Sequence, residues 1–184
     1  MRSDAARRRE RIIREARALF AAQGGTVALE TIAEASDVGI ATLYRNFDSR
    51  TALADAVALA ILTDMRDAAA LALARIDADP QDGWHGFVTA LVDLDLGALT
   101  DALAHHVVGD ISGPVREAQE QTLDRIAAVL SAARAAGVVR AEIEPLELVL
   151  AIGMLTRPQP EPIRTAVPKL VPRLIAVLEA GLGA

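Results

Sequence analysis

Four hydrogen-bond donors of different kinds fall within seven residues: Tyr44, Arg45, Asn46 and Arg50. A phenol, an amide and two guanidinium groups so close together suit the phosphate oxygens of a nucleic-acid backbone, which accept from all of them. Just before them, Ile40, Ala41 and Thr42 bring apolar contact surface and one hydroxyl. Other chemistry has less support. His105 and His106 are adjacent, so on a helix they point about 100° apart and do not converge on one ion. Asp101 and Asp110 lie near them, but no His-x-x-x-His spacing exists, and neither a metal nor a cofactor is expected. Ser112, in Gly109-Asp-Ile-Ser-Gly-Pro114, lacks the Gly-x-Ser-x-Gly spacing of a nucleophile elbow. No phosphate-binding loop or dinucleotide glycine pattern occurs. The absence of cysteine excludes thiol catalysis, thiolate metal sites and disulfides. No catalytic constellation emerges.

The elements that must position these donors are helical. The chain has 184 residues, which suits one domain or a small domain fused to a larger one. Hydrophobic residues make up 52%, yet only Trp84, Tyr44, Phe20, Phe47 and Phe87 are aromatic. Alanine and leucine supply the apolar mass, both favour helix, and strand-type alternation is absent. The fold class is therefore all-α. Ile12, Ala16, Leu19 and Phe20, at i, i+4, i+7 and i+8, stripe a first helix that stops at Gly24-Gly25. A second helix covers about 29–36, with Leu29, Ile32 and Ala33 inward; Asp37-Val38-Gly39 breaks it, and a third follows over about 40–47. Ser49 reads as the N-cap of a long fourth helix, from 50 to about 75, with Leu53, Val57 and Ile61 in its spine. Further helices are expected at roughly 80–96, 98–106, 114–136, 145–156 and 166–182, the last starting as late as Val171. Gly137 reads as a helix stop, and the proline-rich stretch 157–162 as a connection.

Two short helices joined by a three-residue turn are the arithmetic of a helix-turn-helix, whose second helix enters the DNA major groove. A tight helical corner built on Leu43, Phe47 and a packed Tyr44 satisfies the same periodicity. Charge adds a second clue. Residues 1–50 carry nine arginines and seven acids, whereas the remaining residues carry 10 basic and 18 acidic groups. A weakly basic head on an acidic body suits a nucleic-acid-contacting part attached to a larger part with another task; a solvated terminal helix has the same charge.

The run Thr31-Ile-Ala-Glu-Ala-Ser-Asp-Val-Gly-Ile-Ala-Thr-Leu-Tyr-Arg-Asn-Phe47, followed by Ser49-Arg50 and Leu53, resembles the DNA-binding signature of TetR-family transcriptional regulators. The signature proper covers about a tenth of the chain, and it fixes hydrophobic, turn and polar positions in one register. The resemblance implies a helix-turn-helix domain over 1–47 and a helical ligand-sensing and dimerisation domain over 48–184. It implies a ligand-responsive regulator, typically a repressor, that binds a pseudo-palindromic double-stranded operator as a homodimer and is no enzyme. By position, Ile40, Ala41 and Thr42 would face bases, while Tyr44, Asn46 and Arg50 would hold the backbone, with Arg45 a lesser contact. Arg7, Arg8, Arg9 and Arg11 would add an electrostatic arm. Departures bear on this. Asp37 stands where the family has a turn glycine, Gly39 replaces a capping serine, and Asn46 replaces histidine. Ala28 occupies a Ser/Thr cap position, for which Thr26 substitutes if the helix starts earlier.

In the body, the resemblance implies pairing of Leu146, Val149, Leu150, Ile152 and Gly153 with Leu170, Leu174, Val177, Leu178 and Gly181 across a dimer interface; the same spacing also fits intramolecular core. Met65, Trp84, Phe87, His105, His106 and Met154 are the rare bulky or polar-tipped groups from which to line an effector pocket, and core packing accounts for them individually. No apolar run approaches the roughly 18 residues of a membrane span, and the arginine-rich start is no signal peptide, so a cytoplasmic protein without membrane partners is expected. The rival readings are a helical small-molecule or lipid carrier, or an enzyme with an apolar cavity and no DNA affinity, and a protein-interaction adaptor. Neither requires the register of residues 31–53.

Overall fold

Ser49 and Asp79 set the frame by starting the two helices on which the rest packs. The Ser49 hydroxyl accepts from the Ala52 N–H at 3.0 Å, and the Asp79 carboxylate accepts from the Asp82 N–H at 3.0 Å. Each satisfies a backbone donor that a helix start leaves unpaired. The structure, a computed structural model, describes residues 2–23, 26–94, 96 and 112–183. Among these, the chain forms nine helices and no strand. They are α1 (Arg2–Gln23), α2 (Leu29–Ala35), α3 (Ile40–Asn46), α4 (Arg50–Ile76), α5 (Pro80–Asp93), α6 (Gly113–Ala135), α7 (Pro145–Leu155), α8 (Glu161–Ala166) and α9 (Leu170–Leu182). The helix expected at 98–106 lies outside the described residues.

With 27 residues α4 is about 40 Å long at 1.5 Å per residue. It packs against α1 in the head and against α5 and α6 in the body. One buried apolar cluster runs along it, from Ile12, Phe20, Leu43 and Phe47 through Leu53, Val57 and Ile61 to Met65, Phe87, Ile126 and Ile152. The junction between α4 and α5 is tight. A Cβ on Gly83 would lie 2.7 Å from both the backbone nitrogen and Cγ1 of Ile76, so only glycine lets the helices approach this closely.

Two helices end in the same closure. After α6, Gly137 has φ +74°, its N–H donates to Arg134 at 2.9 Å, and the Val138 N–H donates to Ala133 at 3.0 Å. After α2, Asp37 has φ +51°, with donation from Asp37 to Glu34 and from Val38 to Ala33, both at 3.0 Å. This is the Schellman arrangement, which needs a left-handed residue. Glycine provides it in one case and aspartate in the other.

Two boundaries differ from expectation. α5 stops at Asp93 rather than at 96. The connection at 157–162 gives way to a short helix, α8, because Pro162 falls in its first turn, where the missing N–H costs nothing. The last helix starts at Leu170, inside the expected range of 166 to 171, since Pro168 and Pro172 are tolerated only before a helix or within its first turn.

Candidate nucleic-acid interface

Leu43 and Phe47, 0% and 2% exposed, anchor α3 in the core of the head. Ile40 is half-buried and packs against the same cluster, so only part of its side chain faces outward. Ala41, Tyr44 and Arg45 are exposed, and Thr42 and Asn46 are half-buried at the margins. Helical spacing puts positions 41, 44 and 45 on one face, opposite Leu43. The solvent-facing side of α3 is therefore the Ala41–Tyr44–Arg45 face, with Thr42 at its edge.

Polar side chains on this helix are drawn inward along it. Arg45 Nε donates to the Ala41 carbonyl at 3.2 Å, and Arg45 Nη2 donates to the Thr42 hydroxyl at 2.8 Å. Asn46 Nδ2 donates to the Thr42 carbonyl at 2.8 Å. Arg50 opens α4 and donates to the Val27 carbonyl, tying the chain before α2 to the start of α4. Tyr44 is 49% exposed. The N-caps of α2 and α3, Ala28 and Gly39, make no side-chain cap bond. Thr26 is exposed but lies outside the α2 cap, because the helix starts at Leu29 and no earlier.

The arginines of α1 serve more than one purpose. The backbone is helical from Arg2 onward, so Arg7, Arg8, Arg9 and Arg11 do not form an extended arm. Arg7 pairs with Asp4 at 2.7 Å. The Arg9 guanidinium sits 4.7 Å from the centroid of the Phe47 ring, a cation–π contact that caps the end of α3. Arg11 Nη2 donates to the Asp37 carbonyl in the turn at a long 3.5 Å. Arg17 pairs with Asp64 on α4 and donates to the Leu94 carbonyl, linking the head to the end of α5. The sequence offered no sign of the partners of Arg9, Arg11 and Arg17, which lie 26 to 77 residues away.

In the body, Met65, Trp84 and Phe87 are 3%, 3% and 1% exposed and belong to the core. Trp84 and Phe87 meet in a tilted contact with centroids 6.2 Å apart, and Trp84 also borders an open groove of about 660 Å³ between α5 and α9. At its rim His85 Nδ1 meets Glu179 Oε1 at 3.0 Å. Met154 is not brought to this region: it is 66% exposed. His105 and His106 lie outside the described residues. Met154 instead continues Leu146 and Leu150, 45% and 42% exposed, in a stripe along α7. Leu174 and Val177 are likewise exposed on α9, which packs on α7. Val149, Leu170 and Leu178 are half-buried beside them, and Gly153 is buried.

This arrangement, a three-helix head exposing one face of its third helix on a long α4, is the DNA-binding fold of a transcription regulator. Residues 12–57 match the model described as bacterial regulatory proteins, tetR family, and residues 79–184 match that of the transcriptional regulator SbtR-like C-terminal domain. The chain belongs to the TetR family, whose members are generally non-enzymatic. Among solved structures it is similar to the TetR transcription regulatory protein from Mycobacterium vanbaalenii, with 29% identity, 100% of this chain and 99% of that one covered, and a TM-score of 0.66. It is also similar to the TetR transcriptional regulator SCO0520 from Streptomyces coelicolor, at 26% identity, coverage of 95% and 98%, and a TM-score of 0.67. E. coli NemR in its reduced form, 15% identical with coverage of 96% and 98%, shares the fold at a TM-score of 0.58. Comparison with curated proteins gives no match. No helix among the described residues is long and apolar enough to cross a membrane.

Proposed function

We propose that this protein is a homodimeric, ligand-responsive transcriptional repressor that acts in the cytoplasm on a pseudo-palindromic operator. Its head, residues 1–47, reads DNA, and its body, 48–184, senses an effector and dimerises. The observation that carries the reading is the division of α3. Leu43 and Phe47 lock one side into the core, while Ala41, Tyr44 and Arg45 remain exposed on the other. A helix held this way presents its outer face to a major groove. Thr42 and the outward part of Ile40 flank Ala41 at the base edges. Tyr44, Asn46, Arg50 and Thr26 border the face, where they can donate to phosphates.

Dimerisation is supported by the apolar stripe Leu146, Leu150 and Met154 on α7 with Leu174 and Val177 on α9, all exposed in the single chain. Two copies of this pair make a four-helix contact and hold two heads for successive grooves about 34 Å apart. The effector is assigned to the body near Met65, Trp84 and Phe87, where Trp84 reaches both the core and the adjoining open groove. The ion pair of Arg17 with Asp64 and its bond to Leu94 provide a direct tie between body and head. An effector releases DNA only if it binds the released state more tightly, and a coupling of about 1–3 kcal/mol is typical.

Selection from a randomised duplex library tests the reading, with the Tyr44→Ala variant in parallel. An enriched inverted repeat with half-sites about one helical turn apart, lost in the variant, is expected. Salt-sensitive binding with no enriched motif would reduce the head to a phosphate binder, and no binding by effector-free refolded protein would overturn the assignment.

A further inference from the structure

We propose that Arg45 is a base reader, and that it selects guanine at one position in each operator half-site. The inference rests on the DNA-binding reading above and assigns one contact within it. Arg45 lies on the exposed face of α3 beside Ala41, one turn earlier, and is the only cation on that face. Side chains on a helix lean toward its N-terminus, and Arg45 does so: both its hydrogen bonds go to the first turn, to the Ala41 carbonyl and the Thr42 hydroxyl. The guanidinium thus lies over the residues placed nearest the bases, away from the end of the helix where phosphate contacts collect.

The edge it presents follows from covalent geometry. A guanidinium is a planar fork with five N–H donors. Nε–H and the adjacent Nη2–H form its side edge, and these two are the atoms engaged, at 3.2 Å and 2.8 Å. The end edge remains, one N–H from Nη1 and the second from Nη2. Two parallel donors match the O6 and N7 acceptors that guanine shows in the major groove, the commonest specific arginine contact. Thr42 acts as a positioning residue, since its hydroxyl fixes the plane of the fork before DNA arrives. A lysine has no planar fork to be held in this way.

The test is the same library selection followed by titrations at several salt concentrations, comparing wild-type protein with Arg45→Ala, Arg45→Lys and Thr42→Val. Arg45 is exposed and its loss leaves the core intact, and a circular dichroism melt verifies each fold. The expected result is a guanine at one symmetric position of the wild-type motif, preferred by about 5- to 150-fold per half-site. Arg45→Ala and Arg45→Lys flatten that column alone, and Thr42→Val weakens it. An Arg45→Ala variant that binds every sequence more weakly with an unchanged motif, its salt slope reduced by close to 2 over two heads, would make Arg45 a phosphate contact and overturn the proposal. Unchanged motif and affinity would overturn it as well. A wild-type selection without any motif would instead refute the operator reading on which the proposal rests, so the two failures are distinguishable.

Discussion

Replacing Asp37 with glycine should stabilise the protein, although it removes a side chain from the turn that defines the head. Asp37 holds φ +51° to close α2. For an ordinary residue the left-handed conformation costs roughly 1–2 kcal/mol, a penalty glycine escapes. Glycine also loosens the unfolded chain, which offsets about 0.4–1 kcal/mol. The balance is a gain of about 0.5–1 kcal/mol, or about 1–4 °C in Tm for a chain of this size. Charge enters weakly, because the carboxylate follows the negative end of α2 and precedes the positive end of α3, two effects of opposite sign. Asp37→Asn isolates that part, since asparagine tolerates the same backbone. Gly137 provides the reverse case. It has φ +74° with nothing within 4 Å of an added Cβ, so Gly137→Ala suffers only backbone strain in the folded state, and with the same unfolded-chain offset the net loss is about 0.5–1 kcal/mol. Thermal melts of all three variants decide the matter. If Asp37→Gly lowers Tm while Asp37→Asn leaves it unchanged, the closure is not strained by aspartate and the argument from φ fails.

Three other outcomes follow from the packing. Gly83→Ala forces a methyl to within 2.7 Å of the Ile76 backbone and should lower the urea midpoint by an amount equivalent to about 1–3 kcal/mol, the gain in helix propensity notwithstanding. Leu150→Glu, in the exposed stripe of α7, should leave the helical content unchanged while sedimentation shows a monomer and Tm falls and loses its dependence on protein concentration; a persistent dimer would move the interface elsewhere. Arg9→Ala uncovers the Phe47 ring and should cost about 0.5–1 kcal/mol of stability, whereas Arg9→Met, which still covers the ring, should lose less in the same denaturation assay. Equal losses would mean that the charge, rather than cover, matters at that site.

What could be read from the residues was local. The Ser49 cap and the Gly137 stop each depend on a few neighbouring residues, and each stands where the spacing puts it. The Leu43 and Phe47 anchors were legible for the same reason, because helix periodicity separates inward from outward positions. Contacts between distant segments were not. Even at seven residues' separation, nothing in the sequence announces that Ile76 leaves no room for a side chain on Gly83, because the close approach is set by how α5 folds back on α4. Arg9 and Arg11 read as part of an electrostatic arm because their partners, Phe47 and Asp37, are brought to them only by the packing of α1 on the head. Met154 read as a rare bulky group in an alanine-rich body, and only the burial pattern separates it from Met65. Ile40 is a mixed case: its register on α3 was legible, but the share of its surface that packs on the core was not.

The placement of Trp84 and Tyr44 has a practical consequence. The chain has one tryptophan and one tyrosine. Trp84 is 3% exposed in the body beside Phe87, and Tyr44 is 49% exposed in the head. The protein therefore carries two built-in chromophores in separate places. Indole emission, starting from an apolar setting, reports opening or occupancy of the body without any label. Phenol absorbance reports what happens at α3. Monitoring both in one denaturation or one titration shows whether head and body respond together or in turn, and the order of the two signals reads out directly how tightly the parts are coupled.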